Sequence, residues 1–169
     1  MTPEQFRPRD FFSPENAYTR LLLESIGDGV IVTDSDGRIL LMNHLAQKLT
    51  GWLGNSGVGR PFAEVFRIVN AYTREPCDDP VAKVLATGAI IGLANHTTLL
   101  ARDGAEYQIA DSAAPIKDDE GSIHGVILVF RDVTAEYERR EALRRSEERF
   151  RRLFEHSINA VALHEIIVD

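Results

Sequence analysis

The stretch that decides the fold is Gly29–Asn43, GVIVTDSDGRILLMN, in which two β-prone runs flank a polar turn. The runs GVIVTD and RILLMN carry the β-branched and aliphatic side chains that are typical of strands. The turn Asp34–Gly37 places aspartates and a glycine where a tight connection needs them. The stretch therefore predicts an antiparallel hairpin. Its D-x-D-G pattern also matches part of a calcium loop, but the terminal acidic ligand is missing, so we interpret it as a turn.

Capping signals predict three short helices after the hairpin. Asn43 can N-cap a helix over His44–Thr50, with a glycine directly after its end. A second helix opens at Pro61 and ends by Phe66. A third runs from Asp79-Pro80 to Gly88 and has both an N-cap aspartate and a proline at its first position. The glycine-rich segment 54–59, GNSGVG, follows a helix and lacks the Lys-Ser/Thr of a phosphate loop, so it predicts no phosphate site.

Three further strand candidates complete a domain. They span Ile90–Leu100, Glu106–Ile116 and Ser122–Arg131, and polar turns containing glycine join them. Two strands, three short helices and three strands in this order predict an α+β fold. We expect a five-stranded antiparallel sheet with the short helices on one face. A helix from Ser13 to about Ser25 precedes the sheet, and a long charged helix without glycine or proline follows Arg131.

Composition and charge limit the class of protein. The chain has 169 residues, of which 44% are hydrophobic and 27% charged, as in a globular protein with one ordinary core. A net charge of −7 argues against nucleic acid or an anionic membrane surface as a partner. No apolar run is long enough to span a bilayer, the N-terminus lacks the apolar core of a secretory signal, and Cys77 is the only cysteine. We therefore expect a cytoplasmic location and no disulfide within the chain.

Two longer stretches carry a resemblance to a known family. ESIGDGVIVTDSDGRILLMNHLAQKLTGW covers the first hairpin and helix, and RDGAEYQIADSAAPIKDDEGSIHGVILVFRDVT covers the last two strands. In this order and spacing they resemble a PAS domain, a sensory module of bacterial signalling proteins, over residues 18–134. The resemblance implies that the closing Asp-x-Thr, here Asp132 and Thr134, couples the sheet to an outgoing signalling helix. Capping of that helix is an interpretation compatible with the same residues.

A second, shorter resemblance lies at the C-terminus. Residues 146–165, SEERFRRLFEHSINAVALHE, are similar to the lead-in helix and first strand of another PAS domain. We therefore expect an N-terminal segment over 1–17, a PAS domain over 18–134, a linker helix over 135–156 and the truncated start of a second PAS domain over 157–169. The family implies that such modules precede a histidine kinase or a GGDEF-type diguanylate cyclase, often with a phosphodiesterase domain. None of those catalytic motifs occurs in this sequence.

The cofactor is unknown from the sequence. The resemblance implies that a haem-binding member carries a histidine on or before the helix at Asp79–Gly88, and this helix has none. The five histidines lie elsewhere and show no metal spacing, so the sequence argues against haem, with Tyr72 and His96 as weak alternatives. Cys77 lacks the motif of a photoactive flavin domain, which leaves a redox flavin open. The histidines are His44, His96, His124, His156 and His164.

Alternation in two strands predicts a polar patch on the inner face of the sheet. In the third predicted strand, Asn95 and Thr97 alternate in step with apolar neighbours and so face the same side of the sheet as these. In the fourth, Asp111 faces the same side as Tyr107, Ile109 and Ala113. Because buried polar groups need partners, these three side chains form either a pocket for a polar or cationic small molecule or an internal hydrogen-bond network. Both interpretations stay open at this point.

We expect a regulatory rather than a catalytic role. Asp111, Ser112 and His124 could be written as a nucleophile set, but the G-x-S-x-G elbow is absent and adjacent strand residues alternate faces. The expected function is to relay a ligand or redox signal through the C-terminal helix, with homodimerisation through the N- and C-terminal helices. A sparse heptad repeat of apolar residues, Leu143, Phe150 and Leu153 or Phe154, is typical of a weak coiled coil. The alternative is a dimerisation and relay module without a ligand.

Overall fold

The computed structural model describes the backbone of residues 17–92 and 96–166, and the side chains of residues 21–92 and 96–152. The chain divides into two compact units, residues 1–133 and 134–169. The first unit holds the sheet and its helices. Its described elements are α1 (Ala17–Ser25), β1 (Gly29–Asp34), β2 (Ile39–Met42), α2 (His44–Thr50), α3 (Phe62–Val65), β3 (Arg67–Asn70), α4 (Pro80–Thr87), β4 (Ile91–Gly92), β5 (Thr97–Leu100), β6 (Glu106–Lys117) and β7 (Ile123–Asp132).

The strands form one antiparallel sheet in the order β2-β1-β7-β6-β5-β3, with β4 paired to β6. The first hairpin, β1–β2, therefore lies beside the last strand of the domain. This arrangement confirms the α+β fold with an antiparallel sheet. The strand count differs, since the described sheet has seven strands instead of five.

Two local features explain the different count. Arg67–Asn70, which no sequence signal marked, forms the edge strand β3 by pairing with β5. A four-residue strand owes its existence to such a pairing, because isolated strand propensity is weak. The predicted single strand over Ile90–Leu100 is two short strands, and His96 just before β5 has a φ of 81°. A residue in the left-handed region interrupts an extended strand.

The sheet separates two apolar clusters. The larger one fills the inner face, where the helices α2, α3 and α4 cover strand residues such as Ile31, Leu99 and Leu128. The smaller one lies on the outer face, where Leu23 of α1 packs on Val30 and Val32. The leading helix thus covers part of the outer face, while its Leu21 and Leu22 remain exposed.

The predicted caps of α2 and α4 and the predicted turn of the first hairpin are confirmed. The Asn43 side chain accepts from the backbone N–H of Ala46, and Gly51 after α2 is left-handed. The Asp79 side chain accepts from Val81 and Ala82 at the start of α4. In the first hairpin, Asp34 Oδ1 accepts from the backbone of Asp36 and Arg38 at 3.0 and 2.8 Å. These elements depend on contacts between residues that are close in sequence, and for that reason the sequence alone predicts them.

The second unit contains α5, Thr134–Ile166. It continues past residue 156, so the strand expected between 157 and 166 is wrong as local structure, while the start of a second domain there stays a prediction. On its surface Arg144 pairs with Glu141 and Glu148 at 3.0 and 2.7 Å. Leu143 and Phe150 are exposed in this helix. Across the described ranges, no helix is both long and apolar enough to cross a bilayer.

Candidate ligand site on the inner face of the sheet

Asp111 lies in the middle of the inner face. It belongs to the long strand β6 and has the same parity as Ile109 and Ala113, which are both buried in the larger cluster. Its partner across the ladder is Phe130 of β7, also buried. Both carboxylate oxygens of Asp111 are buried, and neither has a hydrogen-bond partner in the described part of the chain. An acidic group therefore sits within an apolar surface without a donor.

This environment changes the acidity of the group. Burial raises the pKa of Asp111 from its ordinary value to about 7, because an apolar surrounding disfavours the charged form. Desolvation is the only cause of the shift. A positive side chain close by would lower the pKa instead, so the carboxyl group lacks a compensating charge within the described residues.

Thr97 lies one diagonal step from Asp111. It opens β5 and pairs with Ile109, two residues before Asp111 on the same face. The side chain is buried, and its hydroxyl acts to lower the pKa of the Cys77 thiol. Burial, more than the nearby charges of Asp78 and Asp111, raises the pKa of the Cys77 thiol. Two of the three predicted polar residues therefore share the inner face, whereas Asn95 lies outside the described residues.

An aromatic group borders the same region, and the sequence reasoning did not include it. Phe130 contacts Phe66 edge to face with ring centroids 4.9 Å apart, and Phe66 stacks on Phe62 at 5.1 Å. The parity of Phe130 with Val126 and Leu128 in β7 could have placed it on the inner face. Cys77, which follows β3, had no such signal, because its position depends on the backbone bond from its N–H to the Ile68 carbonyl at 3.0 Å.

The residues predicted for relay lie where the sheet ends. Asp132 closes β7 and pairs with Ile109, the same residue that pairs with Thr97 on the other side. The backbone N–H of Val133 donates to the Gln108 carbonyl at 2.8 Å. Thr134 is the first residue of α5. One cross-strand row thus joins Thr97, Ile109 and Asp132, although a role in relay stays a prediction.

Other candidate groups are separated from one another. Ser112 is exposed and pairs with Val129 on the outer face. His124 lies five residues before Val129 in β7, and its Nε2 is 2.6 Å from Asp118 Oδ2. The structure does not bring Asp111, Ser112 and His124 together. Tyr72 and His96 do meet, with ring centroids 4.7 Å apart. The described residues contain no cluster of three or more metal-ligating side chains.

Comparisons with known proteins agree with this architecture. Two curated proteins of Escherichia coli K12 are similar to the chain. The probable diguanylate cyclase DgcE is 29% identical over 71% of this chain and 11% of its own length. The signal transduction histidine protein kinase AtoS is 27% identical over 75% of this chain and 20% of its own length. The chain thus spans at most a fifth of these relatives.

A solved PAS domain from Colwellia psychrerythraea has a TM-score of 0.53 at 19% identity, with 69% of this chain and 95% of that one covered. At this identity the similarity concerns the fold alone. The family model PAS_4, described as PAS fold, matches residues 23–138, which is more than half of the sequence. With the hairpin beside β7, the helices on the inner face and this match, the chain belongs to the PAS family of signalling-protein domains.

Proposed function

We propose that this PAS domain is a sensory module that detects a small molecule, or a redox change, at the inner face of its sheet. The observation that carries the proposal is the pair of buried, unpartnered oxygens of Asp111. Leaving such groups unpaired costs about 1–3 kcal/mol or more, so a bound partner would stabilise one form of the sheet. Asn95, Thr97 and Asp111 are the proposed ligand-binding residues.

The relay runs through the cross-strand row. A change at Asp111 alters the ladder at Ile109, two residues along β6, and Ile109 pairs with Asp132 at the end of β7. Asp132 and Thr134 pass the change to α5, which biases an output domain. Because both curated relatives are signalling enzymes, the proposed output is a histidine kinase or a diguanylate cyclase, with or without a phosphodiesterase domain. The chain itself acts as a regulator in this proposal.

Hydrogen exchange tests the relay without knowledge of the ligand. Asp111→Asn removes the charge at nearly constant volume, and we expect it to change amide protection in α5. The double variant Asp111→Asn/Asp132→Ala is expected to lose that change. Asp119→Asn is the matched control, since Asp119 is an exposed carboxylate in the β6–β7 turn. Unchanged protection of α5 in Asp111→Asn at pH 8, where wild-type Asp111 is ionised, would refute the relay.

A second candidate is a dimerisation and relay module without a ligand. The exposed apolar side chains of both flanking helices favour it: Leu21 and Leu22 of α1 are 69% and 51% exposed, and Leu143 and Phe150 of α5 are 62% and 64% exposed. Since Leu143 and Phe150 are one heptad apart, a second copy could cover them. We propose a homodimer through these helices in either case.

One measurement separates the two candidates, and a second tests the dimer that both include. An absorption spectrum, followed by mass spectrometry of whatever the protein releases on denaturation, detects a haem, a flavin or a small molecule. Light scattering compares the mass of the wild type with that of Leu21→Glu/Leu22→Glu and Leu143→Glu/Phe150→Glu. Leu53→Glu is the control, because Leu53 is 64% exposed in a loop. Monomeric wild-type protein would contradict the dimer.

A further inference from the structure

The surroundings of Asp111 specify more than the presence of a ligand. Its two oxygens together offer acceptor sites in one plane, and no N–H or O–H of the described residues uses either of them. No ion pair of the described chain includes this carboxylate. A buried carboxylate gains most from a partner that brings both positive charge and several donors.

The side chains beside the carboxylate along β6 are apolar. Ile109 and Ala113 flank it along β6, and Ala113 projects only a methyl group. Phe130 pairs with Asp111, but its ring lies over Gly29 of β1. A methyl group at Gly29 would lie only 2.6–2.9 Å from the ring atoms Cζ, Cε1 and Cε2. The ring of Phe130 therefore leans away from the strand that carries Asp111. An apolar surrounding favours an organic cation over a hydrated inorganic ion, which would lose its water there.

We infer that the inner face binds a small organic cation with a planar amidinium or guanidinium head, which pairs in bidentate fashion with Asp111. This inference rests on the proposed function and specifies its ligand class. A neutral donor would satisfy the oxygens but leave the buried charge uncompensated, and a simple ammonium ion would match two coplanar acceptors less well. The net charge of −6 over residues 1–130 also raises the local concentration of cations.

Matched pairs of probes test the inference on the whole chain. Methylguanidinium is compared with N-methylurea, and benzamidinium with benzamide, because each pair shares its shape and differs in charge. Binding is measured by calorimetry at pH 8, where Asp111 is ionised. We expect at least one cation to bind the wild type ten- to a hundredfold more tightly than its neutral counterpart, which is the gain of a charge-assisted bidentate pair.

Variants connect the preference to Asp111. Asp111→Asn is expected to abolish the preference for the cation, and Asp119→Asn to retain it. Asp111→Ser serves as a second variant if the asparagine protein does not fold. Equal binding of the two members of both pairs, binding of no probe at all, or a preference that survives in the Asp111 variants would overturn the inference. The comparison of probes on the wild type needs no variant.

The outcome separates the ligand class from the sensory role. If the cation preference is absent while Asp111→Asn still alters hydrogen exchange in α5, the ligand class is wrong and the relay stands. If the cations bind through Asp111 without any change in α5, the site is correct and the relay fails.

Discussion

Arg131 and Asp28 form a forked ion pair that joins the two ends of the PAS domain. The Nε and Nη2 atoms of Arg131 donate to the two oxygens of Asp28 at 2.9 and 3.3 Å. Asp28 lies between α1 and β1, and Arg131 lies one residue before Asp132. The pair therefore connects the segment where the chain enters the sheet with the strand end from which it leaves.

A double-mutant cycle of this pair should reveal a small, salt-dependent coupling. Arg131 is 64% exposed and Asp28 21% exposed, so solvent screens their attraction. For Arg131→Gln and Asp28→Asn we expect a coupling free energy of about 0.5–1 kcal/mol in urea unfolding, which falls in high salt. The exposed pair Arg60–Glu64, whose residues are four apart in the chain, is the control, and we expect a smaller coupling for it. A coupling of zero at low salt would contradict the prediction.

Asn43 should tolerate aspartate poorly although both residues are good N-caps. Its Oδ1 accepts from Val30 and Ala46, while its Nδ2 donates to the carbonyls of Leu23 and Asp28 at 3.0 and 2.8 Å. In Asn43→Asp a carboxylate oxygen would face those two carbonyls. We expect a loss of at least about 2 kcal/mol in the free energy of unfolding at pH 8.

The matched control for this substitution is the other N-cap. Asp79 accepts only from backbone N–H groups, at 2.8 Å from Val81 and 3.1 Å from Ala82. Asp79→Asn should therefore cost less than about 0.5 kcal/mol. Similar losses for Asn43→Asp and Asp79→Asn would mean that the two donor bonds of Asn43 contribute little.

Three glycine substitutions should differ according to what a methyl group meets. At Gly125 a Cβ would collide with the backbone carbonyl of Thr33, and at Gly29 with the ring of Phe130. At Gly27 an added Cβ would have no atom within 4 Å apart from its own chain neighbours. Since backbone cannot move aside as a side chain can, we expect Gly125→Ala to lose more than about 3 kcal/mol, Gly29→Ala about 1–3 kcal/mol and Gly27→Ala almost nothing. Thermal unfolding of the three variants measures the order of these stability losses.

A compensating change tests the cause at Gly29. Phe130→Leu removes the ring atoms that the methyl group would meet. The double variant Gly29→Ala/Phe130→Leu should therefore lose less stability than the two single losses added together. Purely additive losses would assign the effect at Gly29 to something other than this contact.

The stability of the domain should depend on pH through Asp111. Its pKa is about 7 when folded and ordinary when unfolded, so the folded state keeps a proton that the unfolded state releases. The stabilising contribution is complete below the ordinary pKa and is lost as the pH rises from about 4 to about 7, by up to about 4 kcal/mol.

Asp111→Asn isolates this term because asparagine does not titrate. The stability of the variant relative to the wild type should rise by about 2–4 kcal/mol between pH 4 and pH 8. Groups shared by both proteins, such as Asp118 with its lowered pKa, cancel in the difference. Urea unfolding of both proteins at pH 4 and pH 8 measures this difference in the free energy of unfolding. A difference that does not change with pH would show that the folded carboxyl group titrates normally.

Part of the site could be predicted and part could not. Strand parity, with the two strands aligned by the Asp103-Gly104 turn, placed Thr97 and Asp111 on one face, because side chains alternate in any strand. The effect of Thr97 on the Cys77 thiol, and the orientation of the Phe130 ring over Gly29, depend on strand partners that no local pattern specifies. The same limit applies to β3, which exists through its pairing with β5.

The sequence by itself determined the elements that short-range chemistry controls, which are the capped helices α2 and α4 and the Asp34–Gly37 turn. Side chain to backbone bonds over two to four residues suffice for these. Only the tertiary structure decided that the hairpin lies beside β7, that Arg131 reaches Asp28, and that the Asp111 carboxylate is buried without a donor. Those features arise from packing between residues far apart in the chain, where burial sets the energy and sequence spacing carries no information.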